Sequence, residues 1–400
     1  MSLKEKGFAT RAIHSKRHEG EYGALTFPIY QTSTIVFDNA EQGGRRFALE
    51  EGGFIYSRLG NPSTTYLQEK LASLEGCEAA LVLSSGMGAI GTVFMTALSQ
   101  GDHVISDKVI YGCTHSLFEH HLPRFGIDVT FVDLTNPDEV KAALRENTKL
   151  IYAETPANPT LKIIDLAWVA KFAKEHNLMS VVDNTVATPY CTRPKELGID
   201  VIVHSVTKYL NGHGDVIAGA ICGDADFIMK CNLEGQKDIT GSVMSPFDAF
   251  LINRGLKTLD VRMERHCKNA QAVAEFLESH PAVKIVYYPG LKSHKDHDIA
   301  EKQMNGRYSG LLAFELKGGF DAAKNLANSV KIFKLAVSLG DCESLIEHPA
   351  SMTHSPYSKE ALAAAGIDEG LLRASVGLEN VEDLIEDLRV NLDKLVLKVD

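Results

Sequence analysis

Between about residue 60 and residue 255 the chain alternates short, almost continuous apolar runs with stretches of helical period, and no other feature restricts its fold as much. The runs are AALVL (79–83), HVISD (103–107), VTFVD (129–133), LIYAET (150–155), MSVVDNT (179–185), DVIVHS (200–205) and VIAGAIC (216–222). Strands alternating with helices build βαβ units and a mainly parallel, twisted sheet. Runs that are apolar throughout suit strands covered on both faces. The pattern changes after Arg254. A helical stretch around 256–279 leads to VKIVYYPG, GLLAFELKGG, a helix near 321–329, KLAVSLG, the strand-like LLRASVGLE and the amphipathic VEDLIEDLRVNLDKLVL. These fewer, mixed elements predict a smaller α+β domain. Residues 1–60 show little periodicity and are too few to bury a core of their own, so they read as an arm lying on a neighbour. The expected division is an arm over 1–60, an α/β domain over 61–255 and a C-terminal α+β domain over 256–400.

A formal charge of −11 argues against a general binder of nucleic acid or of anionic membranes, because no large basic field is available. The seven cysteines are scattered, odd in number and without a C-x-x-C pair, which suits a reducing cytosol better than a disulfide framework or a zinc site. The N-terminal segment is too charged for a signal peptide, and no apolar run approaches the roughly 18 residues of a membrane span. A soluble, cytoplasmic protein with a small-molecule partner is expected.

Four groups of residues carry chemistry. Gly86, Gly88 and Gly91 in SSGMGAIG form G-x-G-x-x-G between an apolar strand and a helix, with Asp102 and Asp107 at about the distance of a ribose-binding acid. A helix N-terminus with close backbone approach binds any phosphate, so this turn alone leaves a dinucleotide and other phosphate cofactors open. Lys208, in SVTKYLNGHGD, follows the strand DVIVHS at the end where open α/β sheets bind ligands. Ser205 and Thr207 stand ready to donate to a phosphate, and a solvated surface role does not fit a lysine at a buried strand's end. Together these suggest a lysine that holds pyridoxal 5′-phosphate as a Schiff base. Asp183 ends the strand MSVVDNT one βα unit earlier, and a carboxylate there needs a cationic partner, such as a pyridinium nitrogen, or its pKa rises. Tyr111 and Cys113 in YGCTH follow HVISD, where an aromatic ring can stack on a cofactor and its hydroxyl can move protons. The nearby His115, Glu119, His120 and His121 match no metal-protease spacing and read as a solvated helix face, so no metal is expected.

The segments SVTKY, NGHGD, ETPANP, VVDNT, YSRLGNPST and SLGDCESLIEHPASMTH together resemble the cystathionine γ-lyase family of PLP enzymes of Cys/Met metabolism, over nearly the whole chain. The resemblance implies an α/β fold of the aspartate-aminotransferase-like, PLP-dependent transferase class (fold type I), with a mainly parallel central sheet and a smaller α+β C-terminal domain. It implies that Lys208 bonds the cofactor and shuttles protons, and that Asp183 pairs with the ring nitrogen. Tyr111 would stack on the ring, and Asn158 would reach its 3′-oxygen. The amides of Gly86 and Met87, with Ser205 and Thr207, would hold the phosphate. Tyr56 and Arg58 would reach the phosphate of the neighbouring subunit, making the site shared in a homotetramer of two dimers, with Arg58 also lowering the pKa of Tyr111. Arg373, with Ser338 beside it, would bind the substrate α-carboxylate, a task suited to a bidentate guanidinium. Cys113 and Lys237–Asp238 of GQKDITG resemble the members that release methanethiol from methionine by α,γ-elimination. One departure is Val186, where relatives often carry an aromatic. Cystathionine γ- or β-lyase, cystathionine γ-synthase and O-acetylhomoserine sulfhydrylase are the alternatives on the same scaffold. An NAD-dependent oxidoreductase leaves Lys208, Asp183 and Arg373 unexplained, and a non-catalytic scaffold predicts no cofactor.

Overall fold

The computed structural model describes residues 5–14, 21–353, 355 and 367–396; parts of the expected arm, and His354 of the last family segment, lie outside these. Seven strands form the first sheet: β1 (Ala79–Leu83), β2 (His103–Asp107), β3 (Asp128–Val132), β4 (Thr148–Glu154), β5 (Met179–Asp183), β6 (Val201–Ser205) and β7 (Gly219–Gly223), in the order β1-β7-β6-β5-β4-β2-β3. Strands β2 to β6 pair in parallel. Their side chains divide by the period of two. Ile105, Ile151, Val182 and Ile202 share one buried cluster with Leu67 and Leu71 of the helix Pro62–Glu75 and with Val169 and Phe172 of the helix Leu166–Glu175, which packs on β4 and β5. Val104, Leu150, Val181 and Val203 face the helix Gly86–Ala97 through Val93 and Phe94. Both faces are thus covered, which is why the runs are apolar throughout. The local signals for the first of these helices are plain: Asn61 caps it by accepting from Ser63 N (2.9 Å), Pro62 opens it, and Gly76 ends it at φ +76°.

Strand β7 runs antiparallel to both β6 and β1. The apolar run alone does not reveal this direction. The cause is the connection: residues 206–218 form turns rather than a crossover helix, so the chain reverses instead of returning in parallel.

The second sheet contains β8 (Val283–Tyr287), β9 (Leu311–Leu316), β10 (Lys334–Leu335), β11 (Leu345–Glu347) and β12 (Leu371–Ser375), in the order β10-β11-β12-β9-β8. All its pairs are antiparallel except β10 with β11. The helix Leu259–Ser279 leads into this sheet and packs on β8 and β9, the helix Gly319–Ser329 packs on β9 and β12, and the helix Val381–Val396 packs on these two helices. Phe314, Leu372 and Leu388 belong to the same buried cluster as Ile151 and Val182, so one apolar core runs through both layers. No helix among the described residues is long and apolar enough to cross a membrane.

Lys70 is the exception in the core. It is fully buried on the helix Pro62–Glu75, its Nζ has no hydrogen-bond partner, and the Tyr66 ring lies 5.5 Å away. Burial, assisted by Lys257, pulls its pKa down to about 8, so at pH 7 the ammonium is still charged and uncompensated. A folded pKa below the unfolded one means stability is lost as pH falls through about 8. Lys70→Met is therefore expected to raise stability at pH 7 by about 1–3 kcal/mol, with a smaller gain at pH 9, read from thermal unfolding at the two pH values.

Candidate active site

The parallel strands end together, and their last residues begin the site. Ser205 closes β6, and its N–H donates to Thr185 Oγ1 (2.8 Å), tying the ends of β5 and β6. In the turn that follows, Ala218 N donates to Thr207 Oγ1 (2.9 Å), Lys208 N to Ser205 O (3.2 Å) and Gly212 N to Lys208 O (2.8 Å). This framework aims Lys208 Nζ at Ser338 Oγ, to which it donates at 2.9 Å. Ser338 comes from the loop after β10. Gly340 brings that loop in: at φ +81° a Cβ there would lie 2.6 Å from Tyr209 N. Burial, and then the Arg373 guanidinium, hold the Lys208 amine below its usual pKa.

Arg373, on β12, is 4% exposed. Its Nη1 reaches Glu347 Oε1 (3.1 Å) and donates to Asn158 Oδ1 (3.0 Å), and its Nη2 donates to the carbonyls of Ser338 (2.8 Å) and Val337 (3.0 Å). Its Nε is buried with no acceptor. Asn158 N and Tyr111 N both donate to the Glu154 carboxyl, at 3.0 and 2.7 Å. Glu154 ends β4 beside Asp183 at the end of β5. Burial, reinforced by the Asp183 charge, pushes Glu154 up to about 8. Asp183 accepts from Thr185 N (2.9 Å) and has no ion-pair partner among the described residues; burial raises its pKa as well. Lys208, Ser338, Arg373, Asn158, Glu154 and Tyr111 are thus linked by successive contacts, with Asp183 alongside.

The Gly86 turn adjoins Lys208. Ser85 caps the helix by accepting from Gly88 N (2.9 Å), which leaves the first-turn amides of Gly86 and Met87 without intrahelical acceptors. A Cβ on Gly86 would lie 2.9 Å from Ser205 Cβ, and one on Gly219 would lie 2.0 Å from Ser85 O. Backbone and hydroxyls converge here as a phosphate requires. Asp107, by contrast, accepts from Lys162 Nζ (2.7 Å) and from two backbone amides, and Asp102 caps Ser99 N, so neither carboxylate is free for a ribose.

Tyr111 is 45% exposed, and the Cys113 thiol donates to its hydroxyl at 3.3 Å. Within one chain the Cys113 contact first, then burial, pushes Tyr111 up to about 12. Within one chain Arg58 lies elsewhere, over the Tyr56 ring (5.9 Å) and 3.5 Å from Lys237 O. Lys237 pairs with Asp238 (3.3 Å) on a turn whose neighbours pack on the Gly86 helix through Thr92–Thr240 (3.1 Å) and Ser84–Ser242 (2.8 Å). Tyr56, Arg58, Lys237 and Asp238 therefore form a group apart from the Lys208 cluster in a single chain. Glu119 sits between His115 (3.3 Å) and His120 (3.4 Å) on the surface. Val186 is buried, and its carbonyl accepts from Ser309 Oγ (2.7 Å). Glu154 and Glu347 were absent from the expected set. Glu154 opens ETPANP and ends a strand, the same signal that marked Asp183.

The residues present fit a phosphate-bearing pyridine aldehyde: a glycine and hydroxyl cradle, a buried carboxyl without a cation, and a lysine of depressed pKa between them. The model of the family described as Cys/Met metabolism PLP-dependent enzyme matches residues 9–393, and the chain belongs to that family. Proteins named L-methionine gamma-lyase from Fusobacterium nucleatum subsp. polymorphum and Porphyromonas gingivalis are each 58% identical to it, over 396 and 395 residues, covering 99% and 98% of this chain and 100% and 99% of theirs. A solved structure, a putative O-acetylhomoserine (thiol)-lyase from Campylobacter jejuni with pyridoxyl-lysine-5′-monophosphate at a lysine position, shares the fold. Its TM-score is 0.93 at 36% identity, covering 97% of this chain and 100% of that one. The fold is accordingly that of the PLP-dependent lyases of fold type I, and the cofactor is pyridoxal phosphate.

Two outcomes are expected. Gly219→Ala forces β7 away from the Ser85 carbonyl, an overpacking of about 1–3 kcal/mol, and cofactor retention after dialysis, followed by absorbance, should fall accordingly. Glu154 has a folded pKa raised above its ordinary value, so its contribution is full below pH 4.5 and is lost as pH rises through about 8. The melting temperature of cofactor-stripped protein should therefore fall over that interval, and Glu154→Gln should flatten the fall.

Proposed function

We propose that the enzyme catalyses α,γ-elimination of L-methionine, in which one water is consumed and methanethiol, 2-oxobutyrate and ammonia are released, and that it also accepts related sulfur amino acids. The observation carrying this reading is the Cys113 thiol bonded to the Tyr111 hydroxyl at the Lys208–Arg373 cluster; the 58% identity to proteins named L-methionine gamma-lyase supports it. Bound pyridoxal phosphate supplies the electron sink for charge developing beside the amino group. The amides of Gly86 and Met87 and the hydroxyls of Ser205 and Thr207 hold the phosphate, Asp183 faces the ring nitrogen, and Asn158 faces the 3′-oxygen.

Arg373 takes the substrate α-carboxylate. Its unpaired Nε supplies a donor, and its bonds to Asn158 and the Ser338 carbonyl fix the plane of the fork. Lys208, whose neutral amine is favoured by burial and by Arg373, accepts the Cα proton while Ser338 orients Nζ, delivers it to the bound cofactor, and so regains the neutral amine that removes the second proton, from Cβ. Tyr111 protonates the departing sulfur. Its proton is held too tightly within a single chain, and Arg58 from the neighbouring subunit's arm, with Tyr56 beside it, brings it into range. Cys113 lines the side that receives the thioether, and Lys237 and Asp238, grouped with Arg58, reach it from the neighbouring subunit. The working form is a homotetramer of two site-sharing dimers, located in the cytoplasm.

Purified enzyme is incubated with L-methionine, cystathionine, cysteine and homocysteine, and 2-oxobutyrate, pyruvate and released thiol are measured. Methionine is expected to give methanethiol and 2-oxobutyrate in equal amounts. Brisk cleavage of cystathionine with no methanethiol from methionine refutes the reading in favour of a cystathionine lyase. Lys208→Ala should abolish turnover. In Arg58→Ala the basic limb of the kcat/KM profile should move to higher pH, since the cation that lowers Tyr111 has gone. Cys113→Ala should cost roughly tenfold in kcat/KM for methionine, the value of one hydrogen bond of about 1 kcal/mol or slightly more.

A further inference from the structure

Away from Lys208, two cysteines that the proposed reaction leaves unused face each other. Cys191 ends the short helix Thr188–Cys191, and Cys267 lies on the helix Leu259–Ser279. Their sulfurs are 3.9 Å apart. The two differ in access: Cys191 is 2% exposed, whereas Cys267 is partly exposed and lines a cavity of about 520 Å³. Two cations, Lys268 and Arg307, and two carboxylates, Glu264 and Glu275, line the same cavity, with Tyr190 and Gln271 between them. The Arg307 guanidinium lies 4.5 Å over the Tyr190 ring and donates to Tyr190 O (3.2 Å), so a cation is fixed at the wall.

The electrostatics of the two sulfurs are opposed. The Cys191 S–H, the amides of Tyr308 and Ser309 and the Arg307 charge all favour negative charge on Cys267 and hold its thiol below the usual value, the bond from Cys191 being the largest cause. Burial pushes Cys191 well up, so it keeps its proton. A cysteine that lines the cavity, with a fully buried one behind it at near-contact sulfur–sulfur distance, is the arrangement of an attacking and a resolving cysteine. Among the described residues no other pair of cysteines is recorded in contact. Cys77, Cys222 and Cys231 are buried, and Cys113 bonds Tyr111.

We propose that Cys267 and Cys191 form a redox-active dithiol whose oxidant is a low-molecular-weight disulfide bearing both carboxylates and ammonium groups, taken up in the cavity between Arg307 and Lys268 on one side and Glu264 and Glu275 on the other. The Cys267 thiolate attacks one sulfur of that disulfide; a mixed disulfide forms and one thiolate leaves, taking a proton from water. Cys191 then loses its proton and attacks the Cys267 sulfur, so the Cys191–Cys267 bond forms and the second small thiol departs with that proton. Two protein thiols are oxidised by two electrons in all, and one small disulfide is reduced to two thiols. Closing the gap from 3.9 Å to the roughly 2.05 Å of a disulfide moves the helix Thr188–Cys191, whose first N–H is anchored on the Asn184 carbonyl at 2.8 Å.

The test uses the intact holoenzyme, treated with cystine or glutathione disulfide, blocked by alkylation and mapped by peptide mass spectrometry without reduction. A Cys191–Cys267 cross-link that dithiothreitol reverses is expected. In Cys191→Ser a mixed disulfide should accumulate on Cys267, and in Cys267→Ser Cys191 should stay reduced. Neutral bis(2-hydroxyethyl) disulfide, which gains nothing from these charged side chains, should react on the order of tenfold more slowly, a difference typical of steering by fixed charge, each rate being taken relative to that of the same disulfide with a free small thiol so that leaving-group differences cancel. Absence of the cross-link in the wild type, or a mixed disulfide on Cys191 in preference to Cys267, overturns the proposal. Equal rates for cystine and the neutral disulfide overturn the assignment of the ligand class. The wild-type measurement decides the matter even if a variant folds poorly.

Discussion

The hydrogen bond from Lys208 Nζ to Ser338 Oγ is the point where the two sheets of this protein become one site. Everything around it limits how Lys208 can move. Thr207 and Ala218 close the turn before it, and Arg262, buried and donating to Tyr209 O (2.8 Å) and Gly255 O (3.0 Å), clamps the turn after it. Arg262 in turn requires Gly212, where a Cβ would lie 2.0 Å from its Nη1. From the second sheet, Gly340 places the Ser338 loop directly on the Tyr209 backbone, and Ser375 Oγ accepts from Gly340 N (2.9 Å). A reactive amine held this way gives up little further entropy when it acts, which is the main service a rigid scaffold renders to proton transfer.

The same crowding explains the charges. Lys208 and Arg373 are cations of depressed pKa, and Asp183, Glu154, Glu347 and Asp341 are acids of raised pKa. In each case burial is the first cause. Only Arg373 and Glu347 are in direct ion-pair contact, at 3.1 Å. Such a site is electrostatically unfinished: each ionised group is favoured by a ligand that brings the opposite charge. An amino-acid carboxylate answers Arg373, and a protonated ring nitrogen answers Asp183. Groups shifted by desolvation in one crevice mark function more often than architecture, because stability alone would be better served by apolar side chains.

How much of this was legible beforehand depended on whether a signal was local. Lys208, Asp183 and the Gly86 turn each stand at the end of an apolar run, so strand, turn and chemistry could be read from adjacent residues. Glu154 ends a strand in the same way, yet it stands in ETPANP, whose prolines and Asn drew the attention; its burial depends on the register of β4 against β5, which no local pattern displays. The direction of β7 was hidden because an apolar run carries no sense of polarity, and only the missing crossover helix shows it. Glu347 was invisible for a different reason. It needs Arg373 opposite it in the antiparallel pairing of β11 with β12, a contact between residues far apart in sequence. Arg58 lies with Tyr56 and Lys237 rather than with Tyr111 within one chain, so the fold of a single chain does not couple them.

This separation also says where reactions can diverge on the scaffold. Lys208, Asp183 and Arg373 are embedded in strands or in turns braced by the core, each held by contacts from both sheets or from adjoining strand ends. Tyr111 and Cys113 are attached differently. They sit at the start of the five-residue helix Gly112–Ser116, half-exposed, held chiefly through Tyr111 N on Glu154. On the proposed reading the proton at Tyr111 Oη decides the fate of the substrate side chain, and within one chain that proton is governed by the thiol contact and by burial. Substituting the thiol changes no buried packing. A family that keeps its cofactor chemistry while changing the leaving group can therefore do so most cheaply at this helix and at the Lys237 turn, where side chains are exposed and the core does not object.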